Sequence, residues 1–502
     1  MSDIGTVLNE EKPAVTPVST CGFLANAWKP SEIAADVATL GTGTLLAGLF
    51  NVALVFLVPK LISVEDYGYW RMFALYAGYA GFLHLGFADG ALLRWAGRPL
   101  EEFQREIGPA TKYLFWQHVA VLLPACVLAA FFLKGPLRFV AIAIAIFTPL
   151  YNITATLQFG LQGARIFRPV AISTIAAPAL FSLSVLLWAN WRHSDFREII
   201  ILFVLAWCMP LIFLLGWTKP SFGTQNETVA KGLAKGCLVS GWPILMTNTG
   251  AGLIQYADRL AVSWAASIQN FAQYSMAASA IAVPISAVQA CSKVVFSHLA
   301  GVTTEGRKRI YGIASWALLA AWAILLPYYF ALDWLIRRYL PRYIPSMDYS
   351  RILLLGIPFM AVIQILQMSY AYLNGVQRHF LARTVAVLAV SLGVASFAAF
   401  HAGSLRIVAG TQVVILGAWW LFNEWTLREW TGQRAVDSAR FAGLYVVVVA
   451  GYWLTTTPGN SIAASVTLYY VIVALVMGVI CRGKWKLLLS GLMGRHDEVS
   501  EG

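Results

Sequence analysis

Arg259 follows Asp258 inside one long apolar run, and Arg71 lies about one turn inside another. An ionisable group held within a membrane costs several kcal/mol, and such groups usually face a cavity or a partner. The planar guanidinium fork donates two parallel hydrogen bonds and suits a phosphate group. The plainer readings are an ion pair between Arg259 and Asp258 and snorkelling of Arg71 to the nearer interface. Lys293 either lines the same cavity or snorkels. The amides Asn51, Gln255 and Asn248 match sugar hydroxyls, and equally match the backbone of a neighbouring helix. His118, Asp89 and His84 are candidates for proton coupling. A lone His is more often a satisfied structural residue, and Asp89 would serve as a helix cap or as a partner for Arg94. No Walker A, no G-x-G-x-x-G and no H-E-x-x-H is present. No C-x-x-C pair or His/Cys cluster points to a metal or a disulfide. The reading is a protein that is not an enzyme and uses no cofactor.

The elements that position these residues are membrane helices. The chain has 502 residues, 59% hydrophobic and 12% charged, against roughly 25% charged in soluble domains. Runs of about 20 apolar residues recur near 36–59, 68–92, 112–133, 137–159, 168–190, 197–217, 236–266, 271–298, 311–332, 349–374, 379–400, 405–425, 438–455 and 460–481. The expected fold is an all-α polytopic membrane protein of about fourteen transmembrane helices, or twelve on a stricter count. With the N-terminus in the cytoplasm, 24 of the 36 Lys and Arg residues fall on the cytoplasmic side and 10 on the other. That bias satisfies the positive-inside rule. The loop around Arg337, Arg338 and Arg342 is its one local violation. The first 35 residues lack the pattern of a cleaved signal peptide.

A self-match at an offset of 204 residues aligns 47–74 with 251–278 without a gap. Eight of the 28 positions are identical, among them Ala47/Ala251, Gly48/Gly252, Ser63/Ser267 and Met72/Met276. A second match, at 212, pairs Leu161-Gln162-Gly163 with Leu373-Asn374-Gly375. Six spans per repeat is an even number, so the copies share one orientation. Two six-helix lobes would be related by a pseudo-two-fold along the membrane normal, with the site between them. The resulting division is a cytoplasmic tail 1–35, an N-lobe 36–217, a linker 218–235, a C-lobe 236–425, two further helices 438–481 and a tail 482–502. Spans 1 and 7 carry matching faces, Thr44, Ala47, Gly48, Asn51 and Asn248, Ala251, Gly252, Gln255, which either pack helices or line a polar cavity. Arg259 and Arg71 have no counterparts in the other repeat, where Val55 and Ser275 stand. An asymmetric ligand would account for that.

The stretch from Val58-Pro59 to Arg94, with Asp66-Tyr67-Gly68 and Leu85-Gly86-Phe87-Ala88-Asp89-Gly90, resembles the opening of the polysaccharide transporter family. Tyr256-Ala257-Asp258-Arg259-Leu260-Ala261-Val262, Tyr274-Ser275-Met276-Ala277 and the two short turns are similar to it as well. The likeness covers roughly 36–425. This family includes the O-antigen flippases and belongs to the multidrug/oligosaccharidyl-lipid/polysaccharide (MOP) exporter superfamily. The resemblance implies a flippase of the bacterial inner membrane that moves undecaprenyl-pyrophosphate-linked oligosaccharide from cytoplasm to periplasm by alternating access. It implies cationic cavity residues, here Arg259, Arg71 and Lys293, and service to O-antigen, exopolysaccharide or capsule synthesis. Coupling to a proton or sodium gradient, and partnership with a polysaccharide polymerase and glycosyltransferases, fit that role. The alternatives are a cation-coupled multidrug exporter of the same superfamily and a lipid II flippase. No nucleic-acid partner is expected.

Overall fold

The computed structural model describes residues 30–189, 195–220, 227–300, 302–401, 403–456 and 462–480. Among the described residues there is no strand. The first lobe comprises α1 (Pro30–Leu61), α2 (Val64–Ala77), α3 (Phe87–Arg94), α4 (Leu100–Phe132), α5 (Gly135–Gly163), α6 (Phe167–Ala189) and α7 (Phe196–Thr218). The second comprises α8 (Glu227–Gln255), α9 (Ala257–Ala265), α10 (Ile268–Ala300), α11 (Thr304–Leu325), α12 (Tyr328–Tyr339), a continuous helical run α13 (Ser346–Leu373), α14 (Gln377–His401) and α15 (Leu405–Thr426). Two helices follow, α16 (Ala435–Thr455) and α17 (Ile462–Ile480). They lean on the second lobe through Tyr445, stacked on Trp322, and through the Tyr469 hydroxyl, which donates to the Ala323 carbonyl at 2.7 Å. Among the described residues, eleven stretches are long and apolar enough to cross a membrane. The three expected spans outside that set are broken or short: span 2 is split into α2 and α3, span 7 into α8 and α9, and α17 offers only Ala463–Leu475.

The repeated residues have physical work to do. Ser63 accepts the Asp66 amide at 3.0 Å and caps α2, while Ser267 accepts the Asn270 amide at 3.3 Å and caps α10. One cap therefore recurs at the same register in both lobes. The two short turns also close alike, with Ile166 N–H donating to Leu161 O and Val376 N–H to Ala371 O. Each closure is the 6→1 bond of a helix C-terminus that needs a left-handed residue. That residue is Gly375 (φ 70°) in one turn and Arg165 (φ 63°) in the other. The two glycines of the sequence match are therefore not structural equivalents.

The lobes meet around the pseudo-axis. Gln269 donates to its own repeat counterpart, Glu65, at 3.5 Å. A residue touching its own symmetry mate must lie near the axis. Met276 packs into the core of the first lobe, and its counterpart Met72 packs against the core of the second. The segment between the ninth and tenth expected spans, read above as a loop, is helical through α12. Arg337 there pairs with Asp333 at 2.8 Å.

Span 2 departs from the continuous helix expected over 68–92. After α2 comes a tight 3-10 turn at Ala80–His84, then left-handed Leu85 (φ 51°) and Gly86 (φ 87°), then α3. The cause is close contact. A Cβ on Gly90 would stand 1.9 Å from the Cys237 carbonyl oxygen, and one on Gly86 2.4 Å from the Trp242 amide nitrogen. Backbone meets backbone where α3 crosses α8, which only glycine permits. Broken helices at membrane depth are tolerated where protein or a cavity receives the freed backbone groups.

Candidate functional site

Both arginines stand on short helical segments that the breaks create, α2 and α9, near the end of the bundle where α1 turns into α2. Along α2, Tyr67, Arg71 and Leu75 succeed one another at i, i+4 and i+8 and so share a face. That face looks toward the second lobe. The Tyr67 hydroxyl reaches Met276 Sδ at 3.5 Å, and Leu75 joins the second lobe's core. The opposite face carries Trp70 and Phe73, locked against Phe181, Phe203 and Phe147. This aromatic anchoring fixes the rotation of α2 and thereby the direction of Arg71.

On α9, Arg259 is buried and its guanidinium lies 5.4 Å from the centre of the Tyr256 ring, a cation–π distance. Asp258 turns into the second lobe instead, where the Tyr274 hydroxyl donates to its Oδ2 at 2.5 Å. The expected Arg259–Asp258 ion pair is absent among the described residues. Arg71 and Arg259 each stand in the field of the other's charge. Each has a buried Nε without a hydrogen-bond partner, and so does the Tyr79 hydroxyl, which lies within reach of the Arg259 charge. The two lobes thus contribute three unsatisfied buried donors, Arg71 Nε and Tyr79 Oη from the first and Arg259 Nε from the second. A buried donor left unpaired costs about 1–3 kcal/mol, more when charged. An anion held between the lobes would meet donors from both.

A cavity of about 680 Å³ adjoins this cluster, with Tyr76 and Tyr79 in its wall. The Tyr76 hydroxyl ties the lobes together, lying 3.0 Å from Ser263 Oγ and accepting Trp264 Nε1–H at 2.9 Å. At one end the lobes touch at Gly68, where a Cβ would stand 2.6 Å from the Ile268 carbonyl oxygen. At the other they touch at the α3–α8 crossing. The arginines lie between these two contacts.

The remaining expected residues scatter. Gln255 is buried, accepts Gln364 Nε2–H at 3.1 Å and donates to the Tyr256 hydroxyl at 3.3 Å, so it links a neighbouring helix to the ring that lies against Arg259. Asn51 is exposed on α1. A Cβ on Gly48 or Gly252 would meet nothing within 4 Å, so these glycines do not serve close packing. The side chains of Asn248 and Lys293 lie outside the described residues. His118 is pinned in the first lobe, Nδ1 at 2.7 Å from the Leu114 carbonyl and Nε2 at 2.7 Å from the Asn152 amide nitrogen. An amide donating to Nε2 leaves the proton on Nδ1 and holds the ring neutral. Asp89 does not pair with Arg94, which forms a two-pronged bond with Glu106 at 2.8 Å instead. Asp89 Oδ2 stands 4.0 Å from His84 Nε2, and both residues are buried.

Two features escaped the sequence reading. Gln412 on α15 donates to the Ile254 and Gln255 carbonyls at 2.9 and 3.2 Å, satisfying acceptors that the break at Tyr256 sets free. Glu424, buried at the far end of the same helix, accepts the Tyr311 hydroxyl and Gln367 Nε2–H, a closed network under the π-turn Ile363–Gln367. A lone amide and a lone acid late in an apolar run were the only signals.

No family model matches the sequence, and no curated protein matches it. Solved structures do match. The lipid II flippase MurJ, in an inward closed conformation, is similar with a TM-score of 0.66 at 13% identity over 88% of this chain and 98% of that one. A MOP superfamily transporter from Pyrococcus furiosus, described as having a binding pocket of reversed polarity, gives 0.54 at 13% identity over 80% and 96%. An outward-facing multidrug resistance MATE transporter gives 0.50 at 12% over 81% and 96%. The chain has the two-lobed fold of the MOP-superfamily transporters. At these identities the likeness speaks for the fold.

Proposed function

We propose that this chain is a flippase that carries undecaprenyl-pyrophosphate-linked oligosaccharide from the cytoplasmic to the periplasmic leaflet of a bacterial inner membrane. One observation carries the reading: Arg71 and Arg259, from opposite lobes, present unpartnered donors to each other's neighbourhood without an ion pair to either. A diphosphate binds both and so bridges the lobes. Its departure lets them part, which is the differential binding that alternating access needs. Gln255 and the tyrosines around the cluster, Tyr76, Tyr79 and Tyr256, would meet the glycan, and a proton or sodium gradient would reset the cycle. In this orientation both termini face the cytoplasm.

A multidrug exporter of cationic compounds is the weaker reading, since two guanidiniums and one carboxylate leave the cluster net positive. Lipid II shares the diphosphate, and MurJ shares the fold, so a lipid II flippase differs from the leading reading in its glycan alone. The deciding assay is flipping of a fluorescent polyprenyl-pyrophosphate oligosaccharide in proteoliposomes, with lipid II and a cationic dye in parallel. Movement of the oligosaccharide lipid that Arg259→Ala abolishes is the expected result. Export of the dye with neither lipid moved overturns the proposal.

A further inference from the structure

The cavity beside the arginines is apolar over most of its wall and is built from three helices of the first lobe, α2, α4 and α5, and two of the second, α8 and α9. Its floor is made of alanines at helical spacing, Ala125 and Ala129 on α4 facing Ala141 and Ala145 on α5, with Leu253 of α8 and the Tyr79 ring closing it toward the charges. Alanines at i and i+4 on both helices leave a furrow where larger side chains would interlock. Its volume of about 680 Å³ is within the range of small-molecule sites, about 300–1,000 Å³. The outer flank is uncovered, with Ala125 and Leu137 of the wall exposed. α4 is the least buried of the eleven spans, 11% against 83% for α13, and Leu123, Val127, Leu128, Phe131 and Phe132 along it are all exposed.

An apolar furrow that opens to lipid on one side and ends at unpartnered guanidiniums on the other is complementary to one molecular shape, an anionic head joined to a linear hydrocarbon. We infer that the furrow between α4 and α5 holds the first isoprene units of the lipid whose diphosphate lies at Arg71 and Arg259. The inference rests on the flippase reading for the identity of the lipid. It adds that the first lobe, through α4 and α5, grips the tail, so the lipid is recognised at two adjoining points. Tyr79 stands at the junction, in a wall that also holds Met72 and Leu260, the chain neighbours of Arg71 and Arg259.

Binding to the purified full chain in detergent tests it, with inorganic diphosphate and farnesyl diphosphate as probes. The wild type should bind farnesyl diphosphate at least about tenfold more tightly than inorganic diphosphate, because each buried apolar carbon adds affinity. Ala129→Trp and Ala141→Trp, each filling the furrow, should shrink that preference to under about twofold while inorganic diphosphate binds as before; Val446→Trp, on the exposed face of α16, should leave it intact. A full preference in both filled variants overturns the inference. Undiminished diphosphate binding by Arg259→Ala sinks the anion site and the flippase reading instead, and leaves the furrow to be judged by the tryptophan variants. Should those variants lose both ligands through misfolding, photolabelling of the wild type by a diazirine-tailed prenyl diphosphate decides. Label within 122–145 supports the inference, and label confined to other helices refutes it.

Discussion

The two lobes start from one plan and break it in different places. In the first lobe α1 runs unbroken and the second span is split between α2 and α3. In the second lobe the order is reversed: the first span is split between α8 and α9, and α10 runs unbroken for 33 residues. Local sequence explains the first difference. At the offset of 204, Gly78 and Gly86 correspond to Ala282 and Ala290. Alanine favours a continued helix and cannot easily take the left-handed geometry of Gly86. A distant residue explains the second. Tyr256 corresponds to Val52, and Gln412, 157 positions beyond Gln255 in the chain, receives the carbonyls freed at the break. The comparison teaches that repetition supplies the scaffold and that divergence at the breaks supplies the site. Arg71 and Arg259 lie on the two short segments that only one lobe each possesses.

The comparison would be broken most directly at those arginines. Each should contribute charge-assisted hydrogen bonds worth about 1.5–3 kcal/mol, hence about 10- to 100-fold in flipping rate per Arg→Ala substitution. Because both would hold one diphosphate, the double variant should fall short of the product of the two single losses. Additive losses in a double-mutant cycle of flipping rates would mean two separate sites, one per lobe. Lys at either position keeps the charge without the fork and should recover only part of the activity.

Much of this architecture was legible in the chain itself. Hydropathy places the long spans, and the identical Ser63 and Ser267 flag a repeat whose physical content is a shared helix cap. The two arginines stood out because charge in apolar sequence is rare. Illegible were the features that depend on a remote partner. Nothing near Gly86 or Gly90 announces that Cys237 and Trp242 will press on them, so span 2 read as continuous. The tie between Gln255 and Gln364 could not be read, because Gln364 is 109 residues further along the chain. Asp89 looked like a partner for Arg94 because sequence distance favours that pair. Glu106 is farther along the chain and nearer in space.

The α3–α8 crossing offers a smaller effect. Gly90→Ala should lower stability by about 1–3 kcal/mol, the usual cost of overpacking, because its Cβ would meet the Cys237 carbonyl and not a movable side chain. Thermal unfolding in detergent measures this, and an unchanged midpoint would place the crossing further apart than described. The break in span 7 should cost at most as much to disturb. Gln412→Leu strands the Ile254 and Gln255 carbonyls and should cost about 1–3 kcal/mol, less if water reaches them. No loss of thermal stability would mean that the break is satisfied by other groups.

The smallest expected effect is the most telling about motion. Gly48 and Gly252 are repeat counterparts in helix interiors, and a Cβ on either would meet nothing. Gly→Ala in such a setting should raise stability by about 0.5–1 kcal/mol through helix propensity alone. If both substitutions stabilise the protein and leave flipping untouched, the shared face is open in every state that matters. If they stabilise it and slow flipping, the open space closes during the cycle, and the glycines are kept for a conformation in which the two faces meet. If either destabilises the protein, the face is already in contact. The match between spans 1 and 7 would then record helix packing rather than a passage between the lobes.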